Sequence, residues 1–188
     1  PGAYLEPAVL AVVLPELTPA ALEAAKPVVD ACPAGEKNLP VRWAALLGAL
    51  GETDTRRVLK RLRCSNACIE ETAVLVRETA GEGVCEEKAS AHPGDIHIRQ
   101  LLGRYGLCTV ERLCALCAAL QPQNAPACAL AAQRARQLEA DGVCCRVSQL
   151  AVNGRDLMAA GIPAGPALRR VLEALLDGVI RAEYPNEK

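Results

Sequence analysis

The chain ends with LAVNGRDLMAAGIPAGPALRRVLEALLDGVIRAEYPNEK, residues 150–188, and this stretch decides the fold more clearly than any other. After Pro166, apolar residues recur at i, i+3, i+4, i+7, i+8, i+11 and i+12, a spacing typical of a helix with one buried face. These residues are Leu168, Val171, Leu172, Leu175, Leu176, Val179 and Ile180. A shorter helix over DLMAAG precedes it and ends at Gly161. The stretch therefore predicts two helices joined by a Gly/Pro hairpin.

The hairpin over residues 161–165 has two interpretations. In the first, unpaired backbone N–H groups at the helix start act with Gly165, Arg169 and Arg170 to hold a phosphate. In the second, the hairpin is a scaffold, and Arg169 pairs with Glu173 four residues later. These residues alone leave both interpretations open.

The composition of the whole chain also favours helices. The 188 residues are 51% hydrophobic but include no Phe and one Trp, so the core is aliphatic. Alanine and leucine dominate, β-branched residues are sparse, and no run alternates as a strand does. We therefore predict an all-α protein, an irregular array of about eight to ten helices in two lobes, with no sheet.

The boundary between the two lobes is predicted at a linker over 85–94, within a stretch that mixes Gly, Ser, Pro and charge without a period. This linker separates a domain over 1–84 from a domain over 95–188. In the first domain, an apolar helix that begins near Pro40 should be central, because nearly all its sides are apolar. Residues with N-cap side chains predict three further helix starts, at Asp54 or Thr55, at Asp95 and at Thr109.

No catalytic or metal site is recognisable in the chain. It contains no Asp-x-Asp pair, no glycine-rich phosphate loop, and no Cys or Ser near a plausible histidine partner. Cys114 and Cys117 share one helix face, and only His92 and His97 accompany the ten cysteines, so we interpret these as reduced core residues. A reducing compartment, the cytoplasm, is therefore expected, and no run is long enough for a membrane span.

The strongest candidate for binding is a basic helix in TDTRRVLKRLRCSN. Its cations fill an arc of roughly 160° at about 100° per residue, opposite Val58, Leu59 and Leu62. These cations are Arg56, Arg57, Lys60, Arg61 and Arg63. They could contact RNA phosphates with a steep salt dependence. The alternative is a solvated face balanced by flanking acids, namely Glu52, Asp54, Glu70 and Glu71. Because the net charge is -1, only local clustering of this kind could attract nucleic acid.

Two stretches resemble bacterial tRNA nucleotidyltransferases, the family of CCA-adding enzymes and poly(A) polymerases. Chains of that family typically close with an Asn-Gly-x-Asp-Leu turn, a glycine hairpin, a Gly-Pro helix start and an Asn-x-Lys ending. The matching residues here are 153–157, Gly161, Gly165 with Pro166, and 186–188. A second stretch, VRWAALLGALGETDTRRVLKRLRCSN, is similar to an apolar helix of that family and the basic helix that follows it.

The resemblance implies that this chain is the end of the neck, the helical body and the tail of such an enzyme, lacking the N-terminal catalytic head. The head of the parent enzyme would use Mg²⁺, ATP and CTP to transfer CMP and AMP to tRNA 3′ ends. This chain has no match to the Asp pair of the head, so we expect no catalytic residue and no cofactor here. The implied partner is tRNA, held by the helical part, and no membrane is involved.

Two positions depart from the pattern of the family. Residues 48–52 stand where some relatives carry His-Asp and Gly-Lys, so metal-dependent phosphohydrolase chemistry is not supported. Arg169 stands where the family often has a small residue or Lys, which adds charge for a phosphate but does not favour close backbone approach.

A different class of function is also open, a stand-alone helical protein-interaction domain with the same fold and no RNA role. The chain begins at Pro1 without Met, so we expect a C-terminal fragment of a longer protein. The sequence leaves open whether the parent adds CCA, A only or poly(A), and whether the chain forms a homodimer.

Overall fold

The computed structural model of the chain describes residues 7–80 and 93–187. Within these ranges every regular element is helical and no strand occurs, which confirms the all-α prediction. The α-helices are α1 (Pro7–Val13), α2 (Pro19–Ala31), α3 (Leu39–Leu47), α4 (Gly51–Arg61), α5 (Asn66–Ala80), α6 (Pro93–Tyr105), α7 (Leu107–Leu120), α8 (Ala125–Ala140), α9 (Gly154–Ala159) and α10 (Pro166–Ile180). None of these described helices is both long and apolar enough to cross a membrane.

The described residues form two compact units. The first consists of residues 7–80 together with Glu111–Leu130, and the second consists of residues 93–110 together with 131–187. The chain therefore contributes two separate segments to each unit, and the boundary between the units falls within α7 and α8.

The predicted linker over 85–94 lies mostly outside the described residues. Its last two residues, Pro93 and Gly94, are the first residues of α6. The predicted domain limits of 1–84 and 95–188 stay a prediction.

The first unit is built around α3, as the apolar composition of this helix predicts. Val41, Ala44 and Leu47 are buried, and α2 and α5 pack against α3. Trp43 is partly buried and packs against a cluster of buried aliphatic side chains. This cluster is formed by Leu14, Leu17, Leu22, Leu47, Val58, Leu59 and Ile69.

The predicted start of α4 at Asp54 or Thr55 is wrong, because the helix begins at Gly51. Asp54 lies in the first turn, where a carboxylate interacts favourably with the helix dipole without acting as the cap. Thr55 is buried, and its Oγ1 donates a hydrogen bond to the carbonyl oxygen of Leu47 at 3.3 Å. The threonine hydroxyl therefore satisfies a carbonyl at the end of α3 instead of capping α4.

The predicted starts at Asp95 and Thr109 are also wrong. Asp95 lies in the first turn of α6, and its Oδ1 accepts a hydrogen bond from Arg134 Nε at 2.8 Å. Thr109 lies inside α7, which begins at Leu107. Both helices begin two residues before the side chain expected to cap them.

The second unit depends on close packing between α6 and the residues that follow α8. A Cβ atom added to Gly103 would lie 2.1 Å from the carbonyl oxygen of Cys145. On the same helix, Arg99 donates hydrogen bonds of 2.9 Å to the carbonyl oxygens of Cys144 and Ile180. Arg99 thus links α6 to the last turn of α10, where a cation also interacts favourably with the helix dipole.

Helix α10 is confirmed between Pro166 and Ile180, but its predicted apolar face is less buried than expected. Ile180 is buried, and the six other predicted residues retain partial exposure. The period of the sequence therefore predicts the helix and its inward face correctly, but it does not predict how much of that face is covered.

Candidate nucleic-acid interface

The predicted basic residues Arg56, Arg57, Lys60, Arg61 and Arg63 are together called the α4 surface here. Helix α4 buries Thr55, Val58 and Leu59 completely, and Leu62 packs against the same core. On the opposite side, Arg56 is partly exposed, and the four other cations are exposed. The structure therefore separates an apolar face of α4 from a basic one, as the spacing predicts, but Arg63 lies beyond the end of the helix and outside the predicted arc.

Two arginines near the start of the α4 surface already have carboxylate partners. Arg56 Nη2 lies 3.1 Å from Glu52 Oε1, and its Nη1 donates to Glu70. The hydrogen bond with Glu70 raises the pKa of Arg56, so that the guanidinium stays charged. Arg57 Nη1 lies 2.7 Å from Asp54 Oδ1. These pairs involve three of the flanking acids that the solvated-face alternative requires.

Arg61 joins α4 to the segment that follows α1. Its Nη2 donates to both carboxylate oxygens of Glu16, at 2.9 Å and 2.8 Å. Its Nη1 donates to the carbonyl oxygen of Val13 at 2.9 Å. This arginine therefore has a role in holding the fold of the first unit.

Lys60 and Arg63 differ from the other three cations. Both are exposed, and neither side chain has a hydrogen bond or ion pair with any residue of the described ranges. Arg63 also has a left-handed backbone conformation, with φ of 57°. Its N–H donates to Lys60 O, and the N–H of Cys64 donates to Leu59 O, both at 3.0 Å, which makes a Schellman ending for α4.

The second candidate surface is the α10 hairpin, defined by Gly165, Arg169 and Arg170. Gly165 has φ of 126°, and no described heavy atom lies within 4 Å of the position that a Cβ would take. Arg169 Nε lies 2.8 Å from Glu173 Oε1, but the Arg169 side chain is 83% exposed. Arg170 is exposed and has no such partner among the described residues. The Arg169–Glu173 pair of the scaffold interpretation therefore forms, but it is exposed, so water or a phosphate could displace Glu173 from Arg169.

The Asn-Gly-x-Asp turn before α9 is a capping box. Asn153 Oδ1 accepts hydrogen bonds from the N–H groups of Arg155 and Asp156, at 2.8 Å and 3.3 Å. Asp156 Oδ2 accepts from the N–H of Asn153 at 2.9 Å. At Gly154, an added Cβ would lie 3.3 Å from Leu168 Cδ2, which shows how closely α9 approaches α10.

The Asn-x-Lys ending is fixed to the start of the same stretch. Asn186 Oδ1 accepts a hydrogen bond from the N–H of Ala151 at 2.8 Å, and its Nδ2 donates to the carbonyl oxygen of Gln149 at 3.0 Å. The asparagine side chain therefore closes the C-terminal segment onto the chain that leads into α9.

A family model described as tRNA nucleotidyltransferase domain 2, putative, matches residues 38–188 of this chain. The matched region covers well over half of the sequence and contains both candidate surfaces and the closing motif. The chain belongs to this family. The resemblance to the body and tail of tRNA nucleotidyltransferases is thereby confirmed. Comparisons with curated proteins and with solved structures gave no match.

The sequence did not point to two arginines that hold this tRNA nucleotidyltransferase domain together. Arg112 donates to the carboxylate of Glu71 and to the carbonyl oxygen of Lys37, and its side chain is 18% exposed. Arg99 makes the backbone contacts of α6 described above. The partners of Arg112 lie 41 and 75 residues away in the chain, so no local spacing could have indicated them.

The cysteines of this domain are reduced within the described residues. Five of the nine described cysteines are buried, whereas Cys64, Cys68 and Cys117 are partly buried and Cys108 is exposed, so the core interpretation holds for about half of them. Burial raises the pKa of the Cys32, Cys144 and Cys145 thiols, which keeps them protonated. No described group of three or more His, Cys, Asp or Glu residues could hold a metal ion.

Proposed function

We propose that this chain is the tRNA-binding helical portion of a cytoplasmic tRNA nucleotidyltransferase and is not catalytic by itself. In this proposal, a separate catalytic head uses Mg²⁺, ATP and CTP to extend the tRNA 3′ end, and the helical chain holds the tRNA. The observation that carries the proposal is the family match over residues 38–188. The lack of any match to the Asp pair of the head supports the division of roles.

The chemistry of the exposed residues supports contacts with phosphates rather than with bases. Lys60, Arg63 and Arg170 are exposed cations without a carboxylate partner among the described residues. Aromatic residues make up 2% of the sequence, so few side chains are available to stack on unpaired bases. Double-helical RNA is recognised mainly through its shape, its phosphates and its 2′-hydroxyl groups. We therefore expect binding that differs little among tRNAs and weakens with salt.

Fluorescence anisotropy of a labelled tRNA, titrated with the 188-residue chain between about 50 and about 200 mM salt, tests the proposal. The test variant reverses three charges, Lys60→Glu, Arg63→Glu and Arg170→Glu. The matched control is Arg104→Glu, because Arg104 is an exposed cation of α6 that belongs to neither candidate surface and has no described partner.

We expect the wild-type chain and the Arg104 variant to bind tRNA with affinity that falls steeply with salt, and the triple variant to lose this binding. If the folded wild-type chain does not bind tRNA even at low salt, the proposed function is overturned. The stand-alone protein-interaction domain would then be the better description. Equal losses in the triple variant and the control would show that the two surfaces are not where tRNA binds.

A further inference from the structure

We infer that Lys60 and Arg63 provide the phosphate contacts of the α4 surface, whereas Arg56, Arg57 and Arg61 are neutralised by carboxylate partners. This inference rests on the proposed tRNA-binding function and assigns different roles to cations that the sequence groups together. It is carried by the carboxylate partners of three of them and by the lack of any described partner for the other two.

A phosphate that approached the paired arginines would meet carboxylates at the same place. Arg56 lies between Glu52 and Glu70, and Arg61 shares two hydrogen bonds with the carboxylate of Glu16. To bind RNA, each arginine would have to exchange an anion that it already holds, and the displaced carboxylate would repel the phosphate. The pairs therefore reduce the charge that these arginines can offer.

Lys60 and Arg63 carry no such penalty, because neither side chain has a hydrogen-bond or ion-pair partner in the described ranges. Lys60 lies in the last turn of α4 and Arg63 follows the end of the helix, so both exposed cations lie at the C-terminal end of α4. Adjacent RNA phosphates are suited to a pair of exposed cations that can both move to meet them.

The backbone conformation of Arg63 decides what its replacement by glycine will do. Arg63 occupies the left-handed position of a Schellman ending, where glycine is the usual residue. Helix α8 ends with the same two hydrogen bonds, and there Gly142 takes the position, with φ of 64°. A side chain in this conformation is unfavourable, and Lys60 and Arg61 already provide basic charge in the last turn of α4. Ala182 takes the same conformation after α10, so the conformation alone does not indicate binding, but it gives Arg63→Gly an effect on stability that can be separated from its effect on tRNA affinity.

The salt dependence of tRNA affinity measures how many cations of the α4 surface contact phosphates. Each phosphate contact contributes about 0.9 to the slope of log affinity against log salt. Two contacts on the α4 surface would contribute about 1.8, whereas five would contribute about 4.5. Between 50 and 200 mM salt, these contributions correspond to a loss of affinity of roughly 12-fold and roughly 500-fold respectively.

The test compares single variants of the full chain by anisotropy with labelled tRNA and by thermal unfolding. We expect Lys60→Gln and Arg63→Gly each to weaken binding about 3- to 10-fold and to lower the salt slope by about 0.9. Arg57→Gln removes a cation from the same helix, and we expect it to leave the affinity and the slope unchanged. Arg63→Gly should also raise the melting temperature by about 2–4 °C, because glycine relieves the strain.

Ala182→Gly is the matched control for the backbone effect. Ala182 has φ of 59° and occupies the same Schellman position after α10, so we expect a similar rise in melting temperature and no change in tRNA affinity. If Arg57→Gln weakens binding as much as Lys60→Gln does, or if Arg63→Gly binds like the wild type, the division of roles is overturned while the proposed function stands. If the wild type does not bind tRNA, the proposed function itself fails.

Discussion

Replacing Gly103 by alanine tests the closest backbone contact of the second unit. Gly103 lies inside α6, and in an ordinary helix interior this replacement stabilises by about 1 kcal/mol. Here the new Cβ would lie 2.1 Å from the carbonyl oxygen of Cys145 and 3.3 Å from its carbonyl carbon. We therefore expect the opposite sign, a loss of stability.

The size of the loss follows from three contributions. Carbon–oxygen contacts are normally about 3.3–3.6 Å, so α6 and Cys145 would have to separate by more than about 1 Å. Overpacking of this kind costs about 1–3 kcal/mol. The separation would also weaken the hydrogen bond from Arg99 to the carbonyl oxygen of Cys144, now 2.9 Å, and a charged bond contributes about 1.5–3 kcal/mol. Alanine also gains about 1 kcal/mol in helix propensity, which offsets part of the loss. The net loss in the free energy of unfolding is therefore about 3 kcal/mol, which corresponds to about 6–12 °C in melting temperature.

Thermal and urea unfolding followed by circular dichroism would measure this loss, with Gly48→Ala as the control. Gly48 has a helical φ of -54°, and no described atom lies within 4 Å of its added Cβ. We expect the control to leave the melting temperature unchanged or slightly raised. A Gly103→Ala variant that is as stable as the control would refute the close approach of α6 to residues 143–145.

Three further predictions concern the stability of the chain. Arg112→Ala should lower the free energy of unfolding in urea by about 1.5–3 kcal/mol, because it removes the charged hydrogen bonds of a mostly buried arginine to Glu71 and to the carbonyl oxygen of Lys37; a change below about 0.5 kcal/mol, roughly the size usual at the surface, would contradict this. Asn153→Ala should cost about 0.5–2 kcal/mol by removing the cap of α9, and amide hydrogen exchange should quicken there first. Burial raises the pKa of the Cys144 and Cys145 thiols, so the unfolded thiols lose protons first as pH rises above about 8.5. The free energy of unfolding should then fall as the pH rises above about 8.5 under reducing conditions, and serine at both positions should reduce this fall.

The helices that the sequence predicts best are those with strong local signals. The limits of α10 follow from its apolar period and from Pro166 at its first position. The starts of α4, α6 and α7 were misjudged, because Asp54, Asp95 and Thr109 have capping side chains that the fold uses elsewhere or leaves inside a helix. Capping preference is a weak signal for the exact first residue of a helix, and these three helices begin two to four residues before the expected caps.

The basic face of α4 could also be predicted, because the arc depends only on helical geometry. The pair of Arg57 with Asp54 is local and follows from the same geometry. The bond from Arg61 to Glu16 spans 45 residues, and the left-handed conformation of Arg63 depends on how α4 ends. Neither is encoded in a local spacing, so the sequence could group the five cations but could not show that Arg61 is paired or that Arg63 lies beyond the helix.

The residues that make the closing stretch recognisable are largely occupied within the fold. Asn153 and Asp156 cap each other, Gly154 lets α9 approach Leu168, and Asn186 binds the backbone on either side of Leu150. Each has a structural partner that explains its identity without RNA, which is why so short a stretch is so tightly specified.

The cations proposed to contact tRNA, unlike the residues of the closing motif, are not occupied within the fold. Lys60, Arg63 and Arg170 have no partner in the described part of the chain, and their side chains contribute little that the fold requires. The motif that identifies the family and the surface that would serve its function are therefore different sets of residues. Variants of the closing motif should lower stability and affinity together, whereas variants of the unpaired cations should lower affinity without lowering stability.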